Sequence, residues 1–130
     1  MNAAVDLTER FALYRTEHQQ WLSSLALYSD QESYFEALLG SLCNEASDYE
    51  IISRSAAFRQ WFAELREQMT QLIDLINEEE RASRSGIIDW QLRQEIDERH
   101  RKMRCGYQLL ERQFINIRQN FYAFITPYVH

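Results

Sequence analysis

Glycine and proline are nearly missing from this 130-residue chain, which has three glycines (Gly40, Gly86, Gly106) and a single proline, Pro127. An all-β design needs a turn signal every dozen residues or so, and these four residues cannot supply them. No apolar run approaches the roughly 20 residues of a membrane span, and the opening MNAAVDLTER has no hydrophobic leader core. The expectation is a soluble, cytoplasmic protein. At this length the chain is too short for a doubly wound nucleotide-binding pair or a TIM barrel, and one domain over residues 1–130 is expected.

Lysine is also scarce: Lys102 is the only one, and the other thirteen bases are arginine. With twenty acids the net charge is −6, which argues against a nucleic-acid binder with its basic face. The charge is uneven. Residues 1–50 carry nine acids and two bases, whereas residues 87–130 carry five acids and seven bases. Arg99, Arg101, Lys102 and Arg104 form a basic knot in the last third, read as a solvated helix face that attracts the acidic first segment. There is no CxxC or CxxCH pattern, no Gly-rich phosphate loop and no nucleophile motif, so no catalytic residue is assigned.

What is abundant is periodic. Leu7, Phe11, Tyr14, His18, Trp21, Leu25, Tyr28, Glu32, Phe35, Leu39 and Leu42 alternate steps of four and three, the a/d seam of a coiled-coil-like helix. Asp6 with Glu9 reads as its capping box, and Gly40 falls at an outward position. The phase survives Ser29-Asp30, so one long helix is expected. A second seam runs Ile51, Ser55, Phe58, Phe62, Leu65, Met69, Leu72, Ile76, Glu79, with Ser47 and Glu50 as its capping box and Ser83 to Gly86 ending it. A third follows from Ile88 through Ile96, His100, Met103, Tyr107, Leu110, Phe114, Ile117, Phe121 and Phe124, and Pro127 closes it. Trp61, Trp90 and Tyr122 lie beside the seams and widen the apolar stripe.

Three helices of nearly forty residues, each roughly 57 Å long, joined by short turns, make an all-α, up-down-up three-helix bundle. Helices one and three are then parallel, with Glu9 and Glu17 facing Arg99 and Arg104. Cys43 and Cys105 fall at heights roughly 27 Å apart, beyond disulfide reach, and read as two free thiols.

Seam positions should be apolar, so His18, Glu32, Ser55, Glu79 and His100 are the informative exceptions. Folding the chain at turns near 46–47 and 86–87 sets His18 level with about residue 75 and His100 level with about residue 73. Glu79 lies within a turn of that layer. Buried without partners, such groups cost several kcal/mol. Two explanations stand. One is a hydrogen-bonded layer fixing register, with Glu79 accepting from both imidazoles and Tyr14 or Glu17 completing it. The other is a metal site of His18, Glu79 and His100, the donor set of mononuclear Zn, Mn or Fe centres. A ferritin-like site is excluded, because Arg15 and Asp97 stand where Glu-x-x-His would need glutamates. Glu32 is expected at the seam edge, paired with Arg59 or Arg66, and Ser55 is a small residue easing close approach.

The stretch Glu17-His18-Gln19-Gln20-Trp21-Leu22, the segment from Ser47-Asp48 through Phe58 and Phe62 to Ile76-Asn77-Glu78, and the aromatic ending Phe114 to Phe124 resemble a group of small, uncharacterised bacterial helical proteins. The resemblance implies histidines at positions 18 and 100, often with a third histidine in place of Glu79, and it implies no activity. The function class expected is a non-enzymatic interaction or scaffold module acting on a protein partner or a second copy, since the Phe121-Tyr122-Ala123-Phe124 stretch exceeds what three helices need. The alternative is a metal-binding bundle.

Overall fold

A computed structural model describes residues 3–84 and 90–129, with side chains from residue 9 in the first helix and from residue 91 in the third. The chain forms α1 (Ala3–Glu45), α2 (Tyr49–Arg84) and α3 (Trp90–Ile125), followed by one 3₁₀ turn over Thr126–Tyr128 that contains Pro127. It is an all-α three-helix bundle. No helix among the described residues is long and apolar enough to cross a membrane.

The helix directions can be read from side-chain pairs. Arg10 meets Asp97, Glu17 meets Arg104 and Gln31 meets Arg118, each 87 residues apart. A constant offset means that α1 and α3 run parallel. Between α1 and α2 the order reverses: His18 meets Glu80, Glu32 meets Arg66, and the Phe35 ring packs tilted against Phe62. The same holds between α2 and α3, where Glu79 meets His100 and Phe58 meets Phe121.

The seams account for the core. On α2 the buried residues are Ser55, Phe58, Phe62, Leu65, Met69, Leu72, Ile76 and Glu79, the expected seam from its second position onward. Phe35, Phe58, Phe62, Phe121 and Phe124 fill one end, where each phenylalanine removes large apolar area from water. Tyr122 and Trp61 are only half covered, because they sit at the margins where two helices, not three, can reach them.

Several boundary expectations shift. α1 already runs from Ala3, so Asp6 lies inside it; alanines at positions 3 and 4 extend the helix readily. The cap of α2 is Asp48, not Ser47: its Oδ1 accepts from the Glu50 backbone N–H at 2.9 Å, and its carbonyl accepts from Ile52 at 3.2 Å. Either residue type can cap, and the register of the turn selects Asp48. Gly40 is not fully outward, since a Cβ there would lie 3.2 Å from Arg59 Nη2. α1 crosses Ser29-Asp30 unbroken. Ser85, Gly86 and Ile88, and the side chains of Leu7 and Trp90, lie outside the described residues.

Candidate metal centre

The seam phases of three helices bring His18, Glu79 and His100 to one height. They are 2%, 5% and 0% exposed. Each offers a donor atom, and these atoms all lie within 4.8 Å of one another. Glu79 is the hub. Its Oε2 lies 2.8 Å from His100 Nδ1 and 2.5 Å from His18 Nε2. The first contact is a hydrogen bond. The second is close, but the ring N–H does not point along it, so His18 Nε2 lacks an aligned partner, as does Glu79 Oε1.

The outward ring nitrogens are held by further carboxylates. Glu80 Oε1 lies 2.7 Å from His18 Nδ1, and Glu17 Oε1 lies 3.1 Å from His100 Nε2. Glu17 is fixed in turn by Arg104, whose Nε and Nη2 donate to its two oxygens at 2.8 and 2.6 Å, the bidentate fork of a strong charge-assisted pair. The His100 ring stacks on Tyr14 with centroids 3.6 Å apart and on Trp21 at 5.2 Å. The Tyr14 hydroxyl donates to Asp97 Oδ1 at 2.8 Å, and Arg10 donates to the other Asp97 oxygen at 2.7 Å. Both imidazole planes are thus set from two sides.

This arrangement governs protonation. Burial opposes a charge on His18, but Glu79 and Glu80 on its two nitrogens outweigh that and raise its pKa. Burial also pushes Glu79 upward, and its contacts to His100 and His18 overcome this, leaving it below the ordinary carboxylate value. Arg104 holds Glu17 low. Burial and Asp97 push Tyr14 up to about 12.

The expected trio therefore converges, and so does Glu17, while Tyr14 contributes a ring face and not a hydrogen bond to the cluster. Glu17 faces Arg104, but Arg99 does not face Glu9; it lines a groove between α2 and α3 instead. Glu80 was not anticipated. Its signal in the sequence was the acidic run Glu78-Glu79-Glu80 ending a seam, where position 80 turns toward α1. Glu32 meets Arg66 Nη2 at 3.1 Å, but at 1% exposure it is a core residue and not a seam edge. Ser55 is buried, as a small residue at a close approach should be. Cys43 and Cys105 are both free.

No protein-family model matches the chain, and neither a curated protein nor a solved structure matches it. The site's own chemistry has to carry its interpretation.

Proposed function

We propose that this protein is a metal-binding helical bundle that holds one divalent transition-metal ion between His18 Nε2, Glu79 and His100 Nδ1. One observation carries the reading. Each imidazole turns one nitrogen inward to a shared carboxylate and has the other gripped by an outer carboxylate, Glu80 or Glu17. Metal-ligating histidines are oriented in this way, because a carboxylate on the distal N–H fixes the ring and raises its basicity. The unpartnered His18 Nε2 and Glu79 Oε1 are donor atoms that the protein alone leaves unsatisfied.

Two nitrogens and one carboxylate suit Zn(II), Fe(II) or Mn(II), with the remaining coordination positions open. At bond lengths of about 2.0–2.2 Å, ligand atoms stand roughly 3.0–3.4 Å apart. The contacts on Glu79 Oε2, now 2.5 Å to His18 and a 2.8 Å hydrogen bond to His100, would open by about half an ångström as the ion comes between the donor atoms. The interaction reading has less behind it, because Phe121 and Phe124 are buried and the half-exposed Trp61 and Tyr122 border different grooves.

The test is metal analysis of purified chain after incubation with Zn(II), Mn(II) or Fe(II) and desalting. One equivalent per chain and a raised Tm are expected, both lost in a His18→Ala, His100→Ala double variant. Sub-stoichiometric content with all three ions would make the cluster a hydrogen-bonded layer that fixes register.

A further inference from the structure

A groove of about 430 Å³ runs between α1 and α2 beside the contact of His18 with Glu80, a volume within the range of about 300–1,000 Å³ typical of small-molecule sites. Three arginines line it, Arg15 from α1 and Arg81 and Arg84 from α2. The pairing of His18 with Glu80 and of Glu32 with Arg66 sets residue 15 level with about residue 83, between Arg81 and Arg84. The seam register therefore gathers three guanidiniums at one height of a concave surface, in a chain whose net charge is −6. The carbonyl end of α2 favours cations at positions 81 and 84, but it does not bring Arg15 to them from the other helix.

The groove does not neutralise these charges itself. Glu80 is the only acid among the residues that line it, and its Oε1 is taken by His18 Nδ1 at 2.7 Å. Arg15 Nε stands 3.9 Å from Glu80 Oε2, too far for a hydrogen bond. The Arg81 and Arg84 side chains make no ion pair or hydrogen bond among the described residues. Arginines elsewhere along the seams do: Arg10, Arg66 and Arg104 meet Asp97, Glu36 and Glu17. Three guanidiniums against one carboxylate leave two positive charges, and a cleft of one sign focuses its field where a ligand would sit. Gln19 and Asn77 add neutral amides, and Leu22 an apolar patch.

We propose that this groove binds the phosphoryl group of a small phosphate monoester, held by Arg81 and Arg84 from one helix and Arg15 from the other. A monoester is close to a dianion at neutral pH, since its second pKa is about 6, so its charge equals what the groove leaves uncompensated. Its oxygens accept forked N–H pairs from several guanidiniums at once, and a monocarboxylate has fewer to offer. The organic part lies along Gln19, Asn77 and Leu22. The site does not rest on the metal reading, because it adjoins the outer nitrogen of His18 and the proposed ion adjoins the inner one.

The test is calorimetric titration of the metal-free full chain, desalted from chelator into dilute Tris buffer, with glycerol phosphate and in parallel with glycerate and glycerol. One glycerol phosphate per chain is expected, bound at least tenfold more tightly than glycerate, and glycerol should not bind. Arg81→Gln with Arg84→Gln should weaken it at least tenfold and Arg15→Gln at least threefold. Helical circular dichroism should not change, because all three side chains are exposed. Arg99→Gln with Arg101→Gln removes as much charge from α3, outside this groove, and should leave the affinity unchanged. The proposal is overturned if glycerol phosphate shows no saturable binding, if glycerate binds equally well, or if neither arginine variant weakens binding. It is also overturned if the α3 pair weakens binding as much as the groove pair. Binding of the chain to vesicles containing phosphatidate, without binding of glycerol phosphate, would overturn the small-molecule occupant and assign the phosphoryl group to a lipid. With no metal in the assay, these outcomes are independent of the metal reading, which stands or falls on metal content.

Discussion

His18 and His100, on two parallel helices, reach the same oxygen of Glu79, and their ring centroids stand 5.2 Å apart. Two imidazoles so close in an apolar core need a shared anion between them. Without it, the inward nitrogen of each ring would be buried with no partner, and only the outer carboxylates Glu80 and Glu17 would remain to hold the rings. The relation makes Glu79 the residue on which this layer depends.

Glu79→Leu should therefore cost about 3–5 kcal/mol, the usual penalty for breaking a buried charged cluster by removing one partner. Replacing His18, Glu79 and His100 together by leucines should recover most of that loss, since an apolar layer of similar volume has no desolvation penalty. Urea unfolding of the metal-free single and triple variants checks both. A single variant as stable as the parent would mean that the layer contributes nothing to folding.

Glu80→Gln and Glu17→Gln leave the three proposed ligands intact but remove the carboxylates that orient them. Each should lower metal affinity about 10–100-fold, read by competition against a chelator of known affinity. Unchanged affinity in both variants would show that the outer contacts do not act on a bound ion.

Glu32 gives the pH dependence. Burial raises its pKa to about 7, with Arg66 only partly opposing. The folded state thus keeps a proton that the unfolded chain has lost, and stability falls as pH rises between the two values. The contribution is fully present below the ordinary carboxylate range and is lost as pH passes through 7. Relative to Glu32→Gln, the parent should lose about 2–3 kcal/mol between pH 5 and pH 8, at about 1.4 kcal/mol per pH unit. A parent and variant that stay parallel in urea unfolding across that range would refute a proton held by Glu32.

Gly106 lies inside α3 with open space beside it, so Gly106→Ala should add about 0.5–1 kcal/mol by reducing unfolded-state freedom. Gly40→Ala should gain less, because its Cβ would meet Arg59 Nη2 at 3.2 Å and that exposed side chain has to move aside. Thermal unfolding ranks the two.

The fold was legible in the sequence because burial on three long helices follows a strict three-four rhythm, and short turns leave no topology but up-down-up. The buried face of α2 follows its seam from Ser55 to Glu79 residue by residue. Local features were read less sharply: Ser47 and Asp48 are both competent caps, and only the turn's geometry chose Asp48.

For the candidate site, the sequence by itself determined which polar residues enter the core, since His18, Glu79 and His100 occupy seam phases, and it set their common height, since helices rise at a fixed 1.5 Å per residue. Tertiary structure alone decided the rest. Which nitrogen faces Glu79, that Glu80 and Glu17 grip the outer nitrogens, that Tyr14 turns to Asp97, and that Glu32 is buried and not at an edge all depend on the rotation of each helix about its axis and on side-chain rotamers. Those are fixed by packing among three helices at once, and one-dimensional periodicity carries no record of them.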